Sequence, residues 1–203
     1  MDFHRLYNQH SNSSLFSFKV VAGSLTINLV FRQLCIWLNL PFFFDSIGTA
    51  IAASLGGLLP GILTGILTNG IQELFYGFTW EYYPWALCSV STAVVVWWFV
   101  KLRKFSKHRH AVYASIIVTL SNSIIGAIIA AYMYEGITGV PIDYIVSGLM
   151  LSGRSAFYSA LAARIPSNLI DKSITVFIAF FLYNYMRGTI VNEDELLIES
   201  EDL

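Results

Sequence analysis

Charged residues are almost absent from a long part of this 203-residue chain. Between Lys19 and Lys101 the sequence has only four Asp, Glu, Lys or Arg residues, and these are Arg32, Asp45, Glu73 and Glu81. Over the whole chain 12% of the residues are charged, whereas a soluble domain has about 25%. A charged side chain inside the bilayer costs about 2.5 kcal/mol or more. The sequence therefore predicts an integral membrane protein.

Six apolar segments are candidates for membrane helices, each of which needs about 20 residues to cross the bilayer. They cover approximately residues 20–38, 42–55, 60–75, 84–100, 111–134 and 169–186. The second is short for a crossing, and is either tilted or packed inside the bundle. The apolar stretch 145–164 contains Arg154 and Arg164, which are expensive in contact with lipid. We therefore expect an all-α six-helix bundle with an additional interfacial or re-entrant helix near 145–164.

Charge also predicts the orientation of the bundle. Basic residues crowd the loop 101–110, whereas the loops 39–43, 76–83 and 135–143 contain no Lys or Arg. Loops rich in Lys and Arg remain in the cytoplasm. Six spans then place both termini in the cytosol, and the other three loops outside, in a multi-pass protein of the cell membrane. The predicted regions are a cytosolic N-terminal segment 1–19, a membrane domain 20–187 and an acidic cytosolic tail 188–203.

Polar residues within the apolar segments mark candidate sites. Asn69, Gln72 and Glu73 are three and four positions apart, so they share one helix face near its outer end. They either line a site or form a solvated helix terminus. Asp45 is suited to cap the second helix by accepting backbone N–H groups, which does not exclude a ligand contact. Arg32 is a candidate ion-pair partner of Asp45 or Glu73.

Three glycines, Gly57, Gly61 and Gly65, repeat every four residues on the third apolar segment. Small residues at this spacing let helix backbones approach closely in lipid. We expect tight helix packing along this row, either as plain packing within the bundle or as the frame of a site.

Motifs for catalysis are missing from the sequence. It contains no P-loop, Rossmann, HExxH or GxSxG pattern. The four histidines lie in polar segments, and the two cysteines, Cys35 and Cys88, have no metal-ligand spacing. We expect neither an enzyme nor a metal or cofactor site. The basic loop is interpreted as a topology signal and not as a nucleic-acid surface.

Three blocks of the sequence resemble the S components of energy-coupling factor (ECF) transporters. These blocks are residues 41–49 (PFFFDSIGT), the Gly-rich hairpin 56–65 and the Ile-Asp-Lys run 170–172. The likeness extends from about Val20 to Met186. It implies a six-helix, substrate-capturing membrane subunit of an ECF-type ABC importer, which binds a vitamin or related micronutrient on the outer side.

The same resemblance implies partners. S components work with a membrane coupling subunit and two cytosolic ATPase subunits, and they dock through an Ala-x-x-x-Ala motif on the first helix. Here Ala22 and Thr26 occupy the two positions, with threonine in place of the second alanine. Two other functions remain open from the residues: a ligand-binding membrane sensor domain that acts through a partner, and a solitary secondary transporter.

The resemblance and the polar residues together predict a site near the outer ends of the helices. Aromatic faces there would stack on a ring or attract a cation, and carboxylates would fix its charge. The excess of carboxylates outside favours a cationic or donor-rich cargo. The predicted substrate-binding residues are Asn39, Asp45, Asn69, Glu73, Trp80, Tyr83, Asn122, Glu135, Asn168 and Asp171.

Overall fold

Seven α-helices and one short 3₁₀ helix form the described part of this computed structural model, which covers the backbone of residues 14–201 and the side chains of residues 15–187. No strand occurs in that range, so the prediction of an all-α protein is confirmed. Most of the predicted segment 1–19 and the side chains of the predicted tail 188–203 lie outside the described residues. The helices are α1 Ser14–Trp37, α2 Ile47–Leu55, α3 Leu58–Tyr76, the 3₁₀ helix Tyr83–Trp85, α4 Ala86–Lys101, α5 His108–Met133, α6 Asp143–Leu151 and α7 Ala156–Glu201.

Four stretches of helix are long and apolar enough to cross a membrane, and they are Leu15–Trp37, Tyr83–Lys101, His108–Met133 and Ala156–Arg187. The predicted count of six spans is therefore not confirmed. The segment 42–55 supplies only α2, whose nine residues rise about 14 Å, less than half the hydrocarbon thickness. Every residue of α2 is buried. It is an inner helix of the bundle and not a lipid-facing span.

The start of α2 also corrects the expectation that Asp45 caps it. The N-cap residue is Ser46, which makes no side-chain capping hydrogen bond. Asp45 lies one residue earlier, in the loop after α1, and its carboxylate faces Arg32 and Lys172.

The stretch 145–164 does not form one separate helix. Its first part belongs to the short helix α6, and its last part opens α7, which passes through Pro166 into the final apolar segment. We expected the last helix to begin near Leu169, after the proline, because an internal proline removes a backbone hydrogen bond. Membrane helices tolerate such a proline where neighbouring groups satisfy the freed backbone. One continuous helix therefore connects both ends of the bundle.

A buried amide joins the first three helices. Asn28 on α1 accepts a hydrogen bond from the backbone N–H of Gly48 at 2.7 Å. Its Nδ2 donates to Thr49 Oγ1 at 3.0 Å and to Thr68 Oγ1 at 2.9 Å. A Cβ atom at Gly48 would lie 1.8 Å from the carbonyl oxygen of Ser24. The contact between α1 and α2 therefore requires glycine at this position.

The glycine row of α3 lies at two further close approaches. A Cβ atom at Gly61 would be 2.7 Å from Cβ of Ala53 on α2, and one at Gly65 would be 2.8 Å from Cβ of Ser89 on α4. Gly57 instead occupies the turn between α2 and α3 with a φ of +91°. The row lets α3 pack closely on both of its neighbours.

The main apolar core is formed by buried side chains of α2, α4, α5 and α7, and it includes Phe105 in the loop 102–107. The opposite, polar end also has two smaller apolar clusters, but the polar side chains of Arg164, Asn168 and Lys172 are buried there. The polar end is formed by the loops 38–46, 77–82 and 134–142, and it holds the candidate site.

Candidate functional site

A cavity of about 500 Å³ lies at the polar end of the bundle. Residues of α1, the loop before α2, the end of α3, the loop before α4, and helices α4, α5 and α7 line it, together with the loop between α5 and α6. Pockets that enclose small molecules have volumes of about 300–1,000 Å³. The cavity is therefore large enough for one small solute.

One face of α7 supplies three polar side chains to this cavity. Arg164, Asn168 and Lys172 are each four residues apart, so they project from the same side of the helix. Asn168 is held by a hydrogen bond from its Nδ2 to Oγ of Ser123 on α5, at 3.0 Å. This alignment exists because α7 begins before Pro166.

Two cations and two carboxylates form a network at one side of the cavity, in which Asp171 and Lys172 are buried and Arg32 and Asp45 are half-buried. Asp45 Oδ1 lies 3.4 Å from Lys172 Nζ, and Asp45 Oδ2 lies 3.8 Å from Arg32 Nη1. The Lys172 ammonium also lies 2.9 Å from Asp171 Oδ2 and donates to Ser46 Oγ at 2.8 Å. The pairing of Arg32 with Asp45 matches one of the two expected alternatives. The network is formally neutral.

Arg164 lies apart from this network and is only 1% exposed. Its guanidinium lies over the ring of Trp85, 5.5 Å from the centroid, and its Nη2 donates to Thr138 Oγ1 at 3.4 Å. Nε and Nη1 have no hydrogen-bond partner among the described residues. Gly126 on α5 leaves room for this side chain, because a Cβ atom there would lie 3.3 Å from Arg164 Cδ.

Asp143 is the acid whose charge acts on Arg164, but its oxygens are already used. Its Oδ2 accepts hydrogen bonds from the backbone N–H groups of Thr138, Gly139 and Val140 at 2.7, 2.6 and 3.1 Å. The Thr138 hydroxyl donates to Oδ1 at 3.2 Å and accepts from Arg164. Asp143 thus holds the loop that lines the cavity and does not form a direct ion pair with Arg164.

Aromatic side chains provide flat walls. Tyr76 stacks on Tyr82 with ring centroids 4.9 Å apart, and Trp85 stacks on Tyr134 at 6.0 Å. The Arg32 guanidinium lies 5.2 Å from the centroid of the Tyr82 ring. Burial raises the pKa of both Tyr82 and Tyr134, so both phenols are neutral at neutral pH. Such walls suit a cargo with a planar ring.

Four of the ten predicted substrate-binding residues lie in or next to the cavity. Asp45, Asn122 and Asn168 line it, and Asp171 stands behind Lys172. Asn122 is held by a hydrogen bond from its Nδ2 to Thr92 Oγ1 at 3.1 Å.

The other six predicted residues do not line this cavity. Glu73 instead accepts backbone N–H groups of the following loop, from Trp80 at 2.9 Å, Tyr82 at 2.5 Å and Tyr83 at 3.0 Å. Asn69 donates to the carbonyl oxygen of Gly65 at 3.0 Å, within its own helix. The remaining four, which are exposed, are Asn39, Trp80, Tyr83 and Glu135.

Two of the acids on which the expected cationic cargo was based therefore do not line the cavity. Glu73 holds a loop, and Glu135 is exposed and lies outside the lining. Sequence reasoning also did not assign Arg164, Lys172 and Trp85 to the site. The available signal was the spacing Arg-x₃-Asn-x₃-Lys, which becomes visible once a helix is allowed to run through Pro166.

The four apolar helices and the cavity with its few polar side chains define a helical membrane protein with a site for a small solute. A family model described as ECF transporter, substrate-specific component matches residues 25–183. The chain belongs to this family, whose members are substrate-binding membrane subunits of ECF transporters and not enzymes. The resemblance carried by the three sequence blocks is thereby confirmed. No curated protein and no solved structure matches the chain.

Proposed function

We propose that the cavity at the polar end is where this subunit captures its cargo, a vitamin or related micronutrient. Membership of the family supports a substrate-binding role. The assignment to this cavity rests on one observation: Arg164, Asn168 and Lys172 meet two stacked aromatic pairs around a single cavity. Pockets with apolar walls and a few fixed polar groups are typical of small-molecule sites.

We further propose that the cavity opens to the outside of the cell. The basic loop between α4 and α5 lies at the other end of both helices, and basic loops stay in the cytoplasm. The C-terminal end of α1 and the N-terminal half of α7 line the cavity. The start of α1 and the far end of α7 then lie at the cytosolic end, in agreement with two cytosolic termini.

Delivery of the cargo is proposed to require a membrane coupling subunit and two cytosolic ATPases. The surface of α1 is the proposed docking site for the coupling subunit, since α1 is the least buried of the four candidate membrane helices. Ala22 and Thr26 lie on this helix, and between them Gly23 leaves open space. The Thr26 hydroxyl donates to the carbonyl oxygen of Ala22 at 3.0 Å, so its polar group is satisfied within the helix.

Native mass spectrometry of the purified protein tests the assignment of the cavity. Wild-type protein is expected to carry a small molecule. Gly126→Leu adds a side chain against Arg164 inside the cavity and should abolish that binding. Gly148→Leu is the matched control, because Gly148 is exposed on α6 and a Cβ atom there meets nothing within 4 Å. Retention of the molecule by Gly126→Leu would contradict the proposal.

Reconstitution tests the proposed partners. Uptake of the identified molecule into vesicles is expected only when the coupling subunit, the ATPases and ATP are all present. Uptake by this chain alone, without ATP, would instead establish a solitary transporter.

A further inference from the structure

We propose that the cargo carries an anionic group, a carboxylate or a phosphate, that binds the guanidinium of Arg164. This inference rests on the proposed function, because it takes the cavity to be the cargo site. It reverses the preference for a cationic cargo that the distribution of acids in the sequence suggests.

The first argument is which charged groups at the cavity are in direct contact with an opposite charge. Arg32 and Lys172 are matched by Asp45 and Asp171, all within one network. Glu81 also lines the cavity, but it is exposed, where water and salt screen its charge. Arg164 is therefore the positive charge of the cavity that lacks a matching carboxylate in contact with it.

The second argument is the state of the Arg164 side chain. Among the described residues no carboxylate forms an ion pair with it, and Nε and Nη1 have no hydrogen-bond partner. The Asp143 carboxylate stabilises the charge of Arg164 without contacting it. Its Oδ2 already accepts hydrogen bonds from three backbone N–H groups. A buried cation with unused donors is unfavourable unless a partner arrives. An anionic group of the cargo would supply that partner.

The third argument is the chemistry of arginine. Its planar guanidinium binds a carboxylate or phosphate through two parallel N–H···O bonds. Trp85 covers this guanidinium, and the stacked pair of Trp85 with Tyr134 continues the wall of the cavity. A cargo with a flat ring next to its acidic group would contact both features. Phospholipid headgroups offer the same phosphate chemistry, so the experiment has to separate a solute from a lipid.

Charge-matched probes test the inference in wild-type protein, without any substitution. Benzoate and benzamide have the same ring and differ in charge, and phenyl phosphate distinguishes a phosphate from a carboxylate. A ligand that binds the folded state raises the temperature of unfolding. We expect benzoate or phenyl phosphate to raise the temperature at which folded protein is lost, measured by size-exclusion chromatography after heating, and benzamide to have no effect. Equal effects of benzoate and benzamide, or no effect of any probe, would overturn the inference.

Substitutions of Arg164 test the residue itself. Arg164→Gln should weaken binding of the stabilising probe about ten- to a hundredfold, since a hydrogen-bonded charge is lost. Arg164→Lys keeps the positive charge but loses the planar guanidinium with its two parallel N–H donors. Its affinity for the probe should lie between those of wild type and Arg164→Gln. Arg154→Gln is the matched control, because Arg154 is exposed in the turn before α7. Unchanged binding in folded Arg164→Gln would overturn the inference.

Identification of the molecule carried by wild-type protein separates this inference from the proposed function. A water-soluble acid that is lost in Arg164→Gln supports both. A solute without an acidic group, lost in Gly126→Leu, overturns the anionic cargo and leaves the cavity as the cargo site. A molecule that extracts into organic solvent as a phospholipid overturns both. So does wild-type protein that carries no molecule and is stabilised by no probe.

Discussion

Replacing Gly48 by alanine is expected to separate α1 from α2. The new Cβ atom would lie 1.8 Å from the carbonyl oxygen of Ser24, and 2.6 and 2.9 Å from two other backbone atoms of that residue. Close carbon–oxygen contacts in proteins have separations of about 3.3 Å or more. The two backbones must therefore move apart locally by about 1.5 Å. No side-chain rotation can relieve the clash, because all three atoms belong to the main chain.

The expected cost has two parts. Overpacking of a well-packed contact costs about 1–3 kcal/mol. The movement also breaks the hydrogen bond from the Gly48 N–H to Asn28 Oδ1, and unpaired buried groups add about 1–3 kcal/mol. Gly48→Ala should thus lower the free energy of unfolding by about 2–6 kcal/mol. For a chain of this size such a loss lowers the midpoint of thermal unfolding by at least about 4 °C.

Thermal unfolding in detergent, measured for a matched pair of glycine-to-alanine variants, provides the assay. Gly23 precedes Ser24 on α1, and a Cβ atom at Gly23 meets nothing within 4 Å. Gly23→Ala should therefore match wild-type protein in its midpoint or exceed it slightly, because alanine favours the helix. A midpoint for Gly48→Ala equal to that of Gly23→Ala would refute the reasoning.

Two further predictions concern buried charges. Lys172→Met leaves Asp45 and Asp171 without their ammonium partner and should destabilise the protein by about 3–5 kcal/mol, measured by thermal unfolding; adding Asp171→Asn should recover part of this loss. An equal midpoint for Lys172→Met and wild type would contradict this. Glu73→Gln weakens the bonds that hold the loop 77–83, so amide hydrogen exchange there should accelerate. The loop 102–107, at the other end of α4, should exchange as in wild type. Unchanged exchange in both loops would show that Glu73 does not hold the loop.

Composition and the sequence blocks were sufficient to predict an all-α membrane protein and its family. They did not distinguish a helix buried in protein from a helix exposed to lipid, because both are equally apolar. This is why α2 was counted among six spans, with packing inside the bundle left as an alternative, and the structure shows that alternative. The number of spans follows from which helices pack on which, and the apolarity of each segment taken alone does not reveal that.

The site was only partly predictable for a related reason. An acid in an apolar segment signals that some partner exists, but the sequence does not say which. For Asp45 the partners are cations beside the cavity, whereas for Glu73 they are backbone N–H groups of a loop. Arg164 was interpreted as evidence against a membrane helix, since arginine is costly in lipid. In the structure its side chain is buried among protein groups inside the bundle, so the cost of placing an arginine in contact with lipid does not apply.

The amide of Asn28 has a mechanical consequence. It fastens α1 to α2 and α3 with three hydrogen bonds at a point where the backbones are in direct contact. A partner that grips α1 from the lipid side cannot peel this helix away without breaking all three bonds. Force applied to α1 is therefore transmitted to α2 and α3 through these hydrogen bonds.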